Sequence, residues 1–146
     1  MKSRLIKLYP DQISRFWFVL KDAIKAGLPL ETDVDMNRVL TALLDGSLEC
    51  FVFAIAEDDE SVSVRAVVTT MIQKQIGYEG KTLFMYSLYG FQNTGKYLVR
   101  GLQQLFDYAR SIGCNRVAGI TNIEAAAKFV ELTGGNANAY YVEWRI

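Results

Sequence analysis

The sequence predicts a mixed α/β fold (an α+β arrangement with one mixed sheet), formed by a single domain over residues 1–146. Three observations carry this expectation. Apolar residues recur at helical spacing in four segments and form strand-like runs in six others. The middle strands follow one another through short turns, whereas the last ones alternate with helices, as hairpins and βαβ crossovers respectively require. Finally, 51% hydrophobic and 22% charged residues among 146 describe a chain with enough apolar surface for a core without staples.

Arg4 to Leu8 reads as a short first strand, closed by Tyr9-Pro10. Ile13, Phe16, Trp17, Leu20 and Ile24 then recur at helical spacing up to Gly27, a plausible C-cap. A second helix opens at Thr32, where Thr32 and Asp35 fit the S/T-x-x-D/E capping pattern. Met36, Val39, Leu40, Leu43 and Leu44 supply its apolar stripe, and Asp45-Gly46-Ser47 ends it. Strands follow over Leu48–Ala56, from about Ser63 to Ile76, and over Lys81–Tyr89. The acids Glu57 to Glu60 read as a solvated hairpin turn, since adjacent acids in a turn rarely converge on one ion. Leu98, Leu102, Leu105, Ala109 and Ile112 stripe a long helix that stops at Gly113. Arg116 to Ile120 is a short strand, and Asn122 caps a helix carrying Ala125, Ala126, Phe129 and Leu132. A last strand, Ala139–Ile146, is rich in aromatics. The expected order is β-α-α-β-β-β-α-β-α-β.

Composition removes whole classes of chemistry. The chain has no histidine, which excludes His-dependent zinc sites, Ser-His-Asp and Cys-His triads, and histidine acid–base work. With 16 basic and 16 acidic residues there is no overall field to draw in nucleic acid or anionic lipid. Cys50 and Cys114 have no partner pattern and read as buried free thiols. The first residues lack the apolar stretch of a signal peptide, and no run approaches a membrane span, so a reducing, cytoplasmic setting is expected.

The most informative segment runs from Gly90 to Tyr97, between a strand and a helix. A glycine-bearing turn at this position leaves backbone N–H groups unpaired ahead of a helix dipole, a natural seat for phosphate. Gly90-x-x-x-x-Gly95-Lys96 nearly spells a P-loop. That motif needs Ser or Thr after the lysine to hold magnesium, and Tyr97 stands there instead.

Read as Gln92-x-x-Gly95-x-Tyr97, the turn resembles the Q/R-x-x-G-x-G/A loop of the Gcn5-related N-acetyltransferase (GNAT) superfamily. Asn122-x-x-Ala125-x-x-x-Phe129 is similar to that family's N-x-x-A-x-x-x-Y segment, and the element order agrees over nearly the whole chain. The resemblance implies acetyl-CoA as co-substrate, no metal, and an amine as acceptor. It implies a V-shaped parting of the fourth and fifth strands, with the pantetheine arm pairing against Tyr86 to Leu88. The amides of Gln92, Asn93, Thr94, Gly95, Lys96 and Tyr97 would receive the pyrophosphate, and Asn122 would stand near the pantetheine.

Two departures bear on catalysis. Tyr97 replaces a small residue, so its ring either crowds the cofactor or turns away from it. Phe129 has no hydroxyl to protonate a departing thiolate and reads as a core residue. The Thr82–Tyr89 strand holds no acid; Glu79 lies just before it. Candidate catalytic groups are therefore Tyr86, Glu79 and Tyr141, with Ser87, Tyr89 and Tyr140 as neighbours. Two functions are compatible with this reading: transfer of an acetyl group from acetyl-CoA to an amine, or a GNAT-like binding or assembly module without catalysis, of the kind phages and prophages encode. The aromatic last strand is also an edge through which a homodimer could form.

Overall fold

A computed structural model describes residues 2–29, 33–91 and 95–146. The elements, in order, are β1 (Lys2–Leu8), α1 (Pro10–Arg15), α2 (Trp17–Ala26), α3 (Met36–Asp45), β2 (Glu49–Ala56), β3 (Val62–Gln73), β4 (Lys81–Gly90), α4 (Gly95–Ser111), β5 (Cys114–Gly119) and α5 (Glu124–Leu132). The five strands form one sheet in the order β1-β2-β3-β4-β5. The first three pairings are antiparallel, and β4 runs parallel to β5 through the α4 crossover. This is the mixed sheet the sequence predicts.

Period-two alternation sends the sheet's side chains to two different cores. Cys50, Val52 and Val67 face Ile13, Leu20, Ile24, Val39 and Leu43 of the first three helices. On the opposite face Leu83 and Cys114 pack with Leu105 and Ala109 of α4, and Phe53, Ile55 and Ala66 form an adjoining cluster. Helix α4 also closes the free edge of β1. The Gln104 carboxamide accepts from the Leu5 N–H at 2.6 Å and donates to the Ser3 carbonyl at 3.3 Å, as a neighbouring peptide group would. Both cysteines are buried free thiols, as expected.

Local structure departs from expectation in four places. The first predicted helix is two, broken at Phe16. The second begins at Met36, with Asp35 as its N-cap accepting from the Asn37 N–H at 3.0 Å; Thr32, the expected opening residue, lies outside the described residues. The last helix is capped by Ile123 rather than Asn122, and Thr121 Oγ1 accepts from the Ile123 N–H.

The fourth departure is the final strand: residues 135–146 carry no regular structure, and Tyr140, Val142, Trp144 and Ile146 are exposed. An extended segment gains stability only when its backbone is paired and one face is covered. Helix α5 has no buried residue with which to anchor the C-terminal segment, and Phe129, expected in the core, is only half-buried.

Candidate active site: an opening between β4 and β5

Strand β4 changes partners along its length, and that change creates the site. Its first half pairs with β5 from Lys81↔Cys114 to Met85↔Gly119. There β5 ends, while β4 continues to Gly90 along β3. The β3–β4 register also shifts at this point, from Thr69↔Ser87 to Thr70↔Met85, so Tyr86 is the extra residue of a β-bulge. Bulges bend a strand and redirect its side chains. The bulge is braced by a buried hydrogen bond, 2.5 Å long, between Thr69 Oγ1 and Ser87 Oγ. Ser87 is thus committed to the interior of the sheet.

Ladder geometry sets the direction of the backbone beyond the bulge. The Phe91 N–H donates to the Arg65 carbonyl at 2.9 Å. In an antiparallel pair the bonded residues alternate, so Tyr89 and Ser87 face β3 while Leu88 and Gly90 turn their polar groups toward the opening. The Leu88 N–H does not meet solvent there. It donates to the Gly27 carbonyl, at the C-terminus of α2, at 3.1 Å.

On the helical side, Tyr86 lines a cavity of about 340 Å³ together with Asp35, Arg38, Val39, Leu48 and Met71. The lining is largely apolar, with the Asp35 carboxylate and the Arg38 guanidinium as its charged groups. These two lie 3.7 Å apart and are well exposed. Partial burial pushes the Tyr86 phenol above its ordinary range, so it keeps its proton at neutral pH.

The other candidate residues are scattered. Glu79 is exposed in the turn before β4, at the far end of the strand from Tyr86, about 20 Å away at strand rise. Its carbonyl accepts from Asn115 Nδ2 at 2.9 Å. Tyr141 lies in the C-terminal segment and donates to Glu143 Oε2 at 2.7 Å, which raises its pKa. Tyr140 beside it is exposed. Tyr89 packs on the helical core and meets Phe91 edge-on, ring centroids 5.0 Å apart. Asn122 is exposed just beyond β5.

Of the loop residues, Gln92, Asn93 and Thr94 lie outside the described residues, while Gly95 and Lys96 open α4. Tyr97 turns toward the sheet: its ring is half-buried on the Phe53, Ile55 and Ala66 cluster, with the Arg65 guanidinium 6.0 Å from the ring centroid. Asp35 and Arg38, which share a cavity with Tyr86, are absent from the predicted catalytic set. In sequence Asp35 reads, with Glu31 and Asp33, either as an acidic lip to the cleft that favours a cationic amine or as an acid at a helix N-terminus, expected on dipole grounds alone. Only the packing of α3 against the sheet brings it to the cavity.

No protein-family model matches the chain, and no curated protein matches it. Solved structures do. Glucosamine-6-phosphate N-acetyltransferase from Arabidopsis thaliana superposes with a TM-score of 0.66 at 18% identity, over 99% of both chains. An aminoglycoside acetyltransferase from an uncultured soil metagenomic sample, solved with sisomicin, gives 0.68 at 15% identity, over 99% of this chain and 95% of that one. A second from the same kind of source gives 0.72 at 9% identity, over 100% and 99%. Likeness of this extent at such low identity is a likeness of backbone: the chain has the fold of the GNAT acetyltransferases.

Proposed function

We propose that this protein binds acetyl-CoA in the opening between β4 and β5 and transfers the acetyl group to an amine. The observation that carries the proposal is the parting itself. After Met85 and Gly119 the two strands no longer pair, leaving an outward-facing strand edge just before the N-terminus of a 17-residue helix. An amide-bearing arm can add to such an edge as an extra strand, with its phosphates before the helix dipole. In this reading Gln92 to Tyr97 receive the pyrophosphate, and the backbone around Tyr86 to Leu88 holds the pantetheine.

The apolar cavity beside Tyr86 takes the acceptor, whose body beyond the amine is then largely apolar. The amine attacks the thioester carbonyl directly, backbone amides at the bulge polarise that carbonyl, and a thiolate departs. Tyr86, held protonated, donates to the thiolate. Asp35 takes the proton from the amine through water. Glu79 and Tyr141 have no part in this reading: Glu79 precedes the far end of β4, and the Tyr141 hydroxyl is engaged with Glu143.

Calorimetry with acetyl-CoA tests binding, and release of free CoA thiol across a panel of amines tests turnover. Tyr86→Phe should lower kcat by about a hundredfold, typical of losing a general acid, with the acetyl-CoA KM unchanged. No heat of binding at millimolar acetyl-CoA would remove the proposal. A second reading, a GNAT-like module without catalysis, is favoured by the scatter of candidate proton-transfer groups. Binding of acetyl-CoA without thiol release for any amine would select it.

A further inference from the structure

Gly27 occupies the place where a strand-like ligand would have to pair. Its carbonyl is one of the C-terminal helix carbonyls that find no partner within α2, and the Leu88 N–H is an edge donor with no partner in the sheet. The two orphans satisfy each other at 3.1 Å. The approach is so close that a Cβ on residue 27 would lie 2.7 Å from the Leu88 carbonyl carbon, 2.9 Å from its oxygen and 2.9 Å from the Tyr89 nitrogen. Gly27 has φ −87° and ψ 1°, which any residue adopts. Backbone conformation therefore does not call for glycine here; contact with β4 does.

We propose that Gly27 is a latch on the open edge of β4. In the closed state its carbonyl holds the Leu88 N–H, and the cofactor's amide-bearing arm pairs there only after the end of α2 withdraws. The proposal rests on the acetyl-CoA reading above and adds a control step to that site. The exchange is nearly balanced overall: opening breaks the Leu88–Gly27 bond, and a ligand carbonyl then replaces the Gly27 carbonyl on the same donor, so the incoming arm restores what opening costs.

Two measurements test the latch. Without ligand, the Leu88 amide should be protected from hydrogen exchange, and Gly27→Ala should speed its exchange by about tenfold or more, because the added methyl forces α2 off the strand. A Leu88 amide that exchanges as freely as an exposed one in the wild type, or unchanged in the variant, overturns the proposal. Stopped-flow mixing of the wild-type chain with acetyl-CoA needs no variant. The observed rate should level off as opening becomes limiting, and a rate still rising linearly at millimolar acetyl-CoA overturns the gating. Failure of acetyl-CoA to bind at all would instead sink the cofactor assignment, an outcome distinct from either of these.

Discussion

The dryness of the layer between the first three helices and the sheet can be tested through one thiol. Cys50 on β2 is fully buried in that layer, and burial pushes its pKa from 9.0 up to about 12. An unfolded chain ionises this thiol above pH 9, while the folded chain keeps it protonated. The unfolded state therefore binds fewer protons between pH 9 and about 12, and stability falls as pH rises through that window.

Summing the two titrations, Cys50 alone removes about 1.4 kcal/mol between pH 8 and pH 10. Urea unfolding at pH 8, 9 and 10, under reducing conditions, measures the loss in the wild type and in Cys50→Ala. The variant starts less stable, but should lose about 1.4 kcal/mol less over the same interval. All other titrating groups are common to both chains, so the difference isolates Cys50. Parallel slopes would show that water reaches the thiol, and the packing described for that layer would be wrong.

Two further predictions concern the remaining parts of the molecule. The Tyr108 hydroxyl donates to Glu49 Oε2 at 2.5 Å, and Lys7 Nζ lies 3.2 Å from the same oxygen. Burial and the Glu49 carboxylate hold the phenol well above its usual 10.0, so this contribution to stability is present below pH 10 and is lost above it. Tyr108→Phe should cost about 1–2 kcal/mol in urea unfolding at pH 7, and should flatten the decline above pH 10. At the other end of the chain, Trp144 is 81% exposed, whereas Trp17 packs against the helical core. Trp17→Phe should leave a single red-shifted emission, quenched by acrylamide at the rate of a free indole; a blue-shifted, shielded Trp144 would mean that the C-terminal segment is covered in solution.

Much of the architecture was legible from local pattern alone. The stripe of Leu98, Leu102, Leu105 and Ala109, the strand-like apolar run of Thr82–Tyr89 and the glycine-bearing turn between them state a β4-α4-β5 crossover without any tertiary knowledge, because the apolar pattern reports which faces are buried. The free thiols followed from a lack of partners, and the exclusion of histidine chemistry from a zero count. The hairpin at Glu57 to Glu60 was equally legible, since local turn chemistry dictates it.

Tertiary contact decided the rest. The bulge at Tyr86 comes from a register mismatch between two strands, and neither strand carries a mark of it in its own sequence. Asp35 read as the capping-box partner of Thr32, one turn into the helix; it is the N-cap itself, and packing also sets it on the cavity beside Tyr86. The run Ala139–Ile146 has the composition of a strand but no paired neighbour, and composition alone cannot supply a ladder. Gly27 looked like a helix-ending glycine. It does end α2, and its absent side chain matters further because the backbone of β4 lies against it, a distance that no one-dimensional pattern encodes.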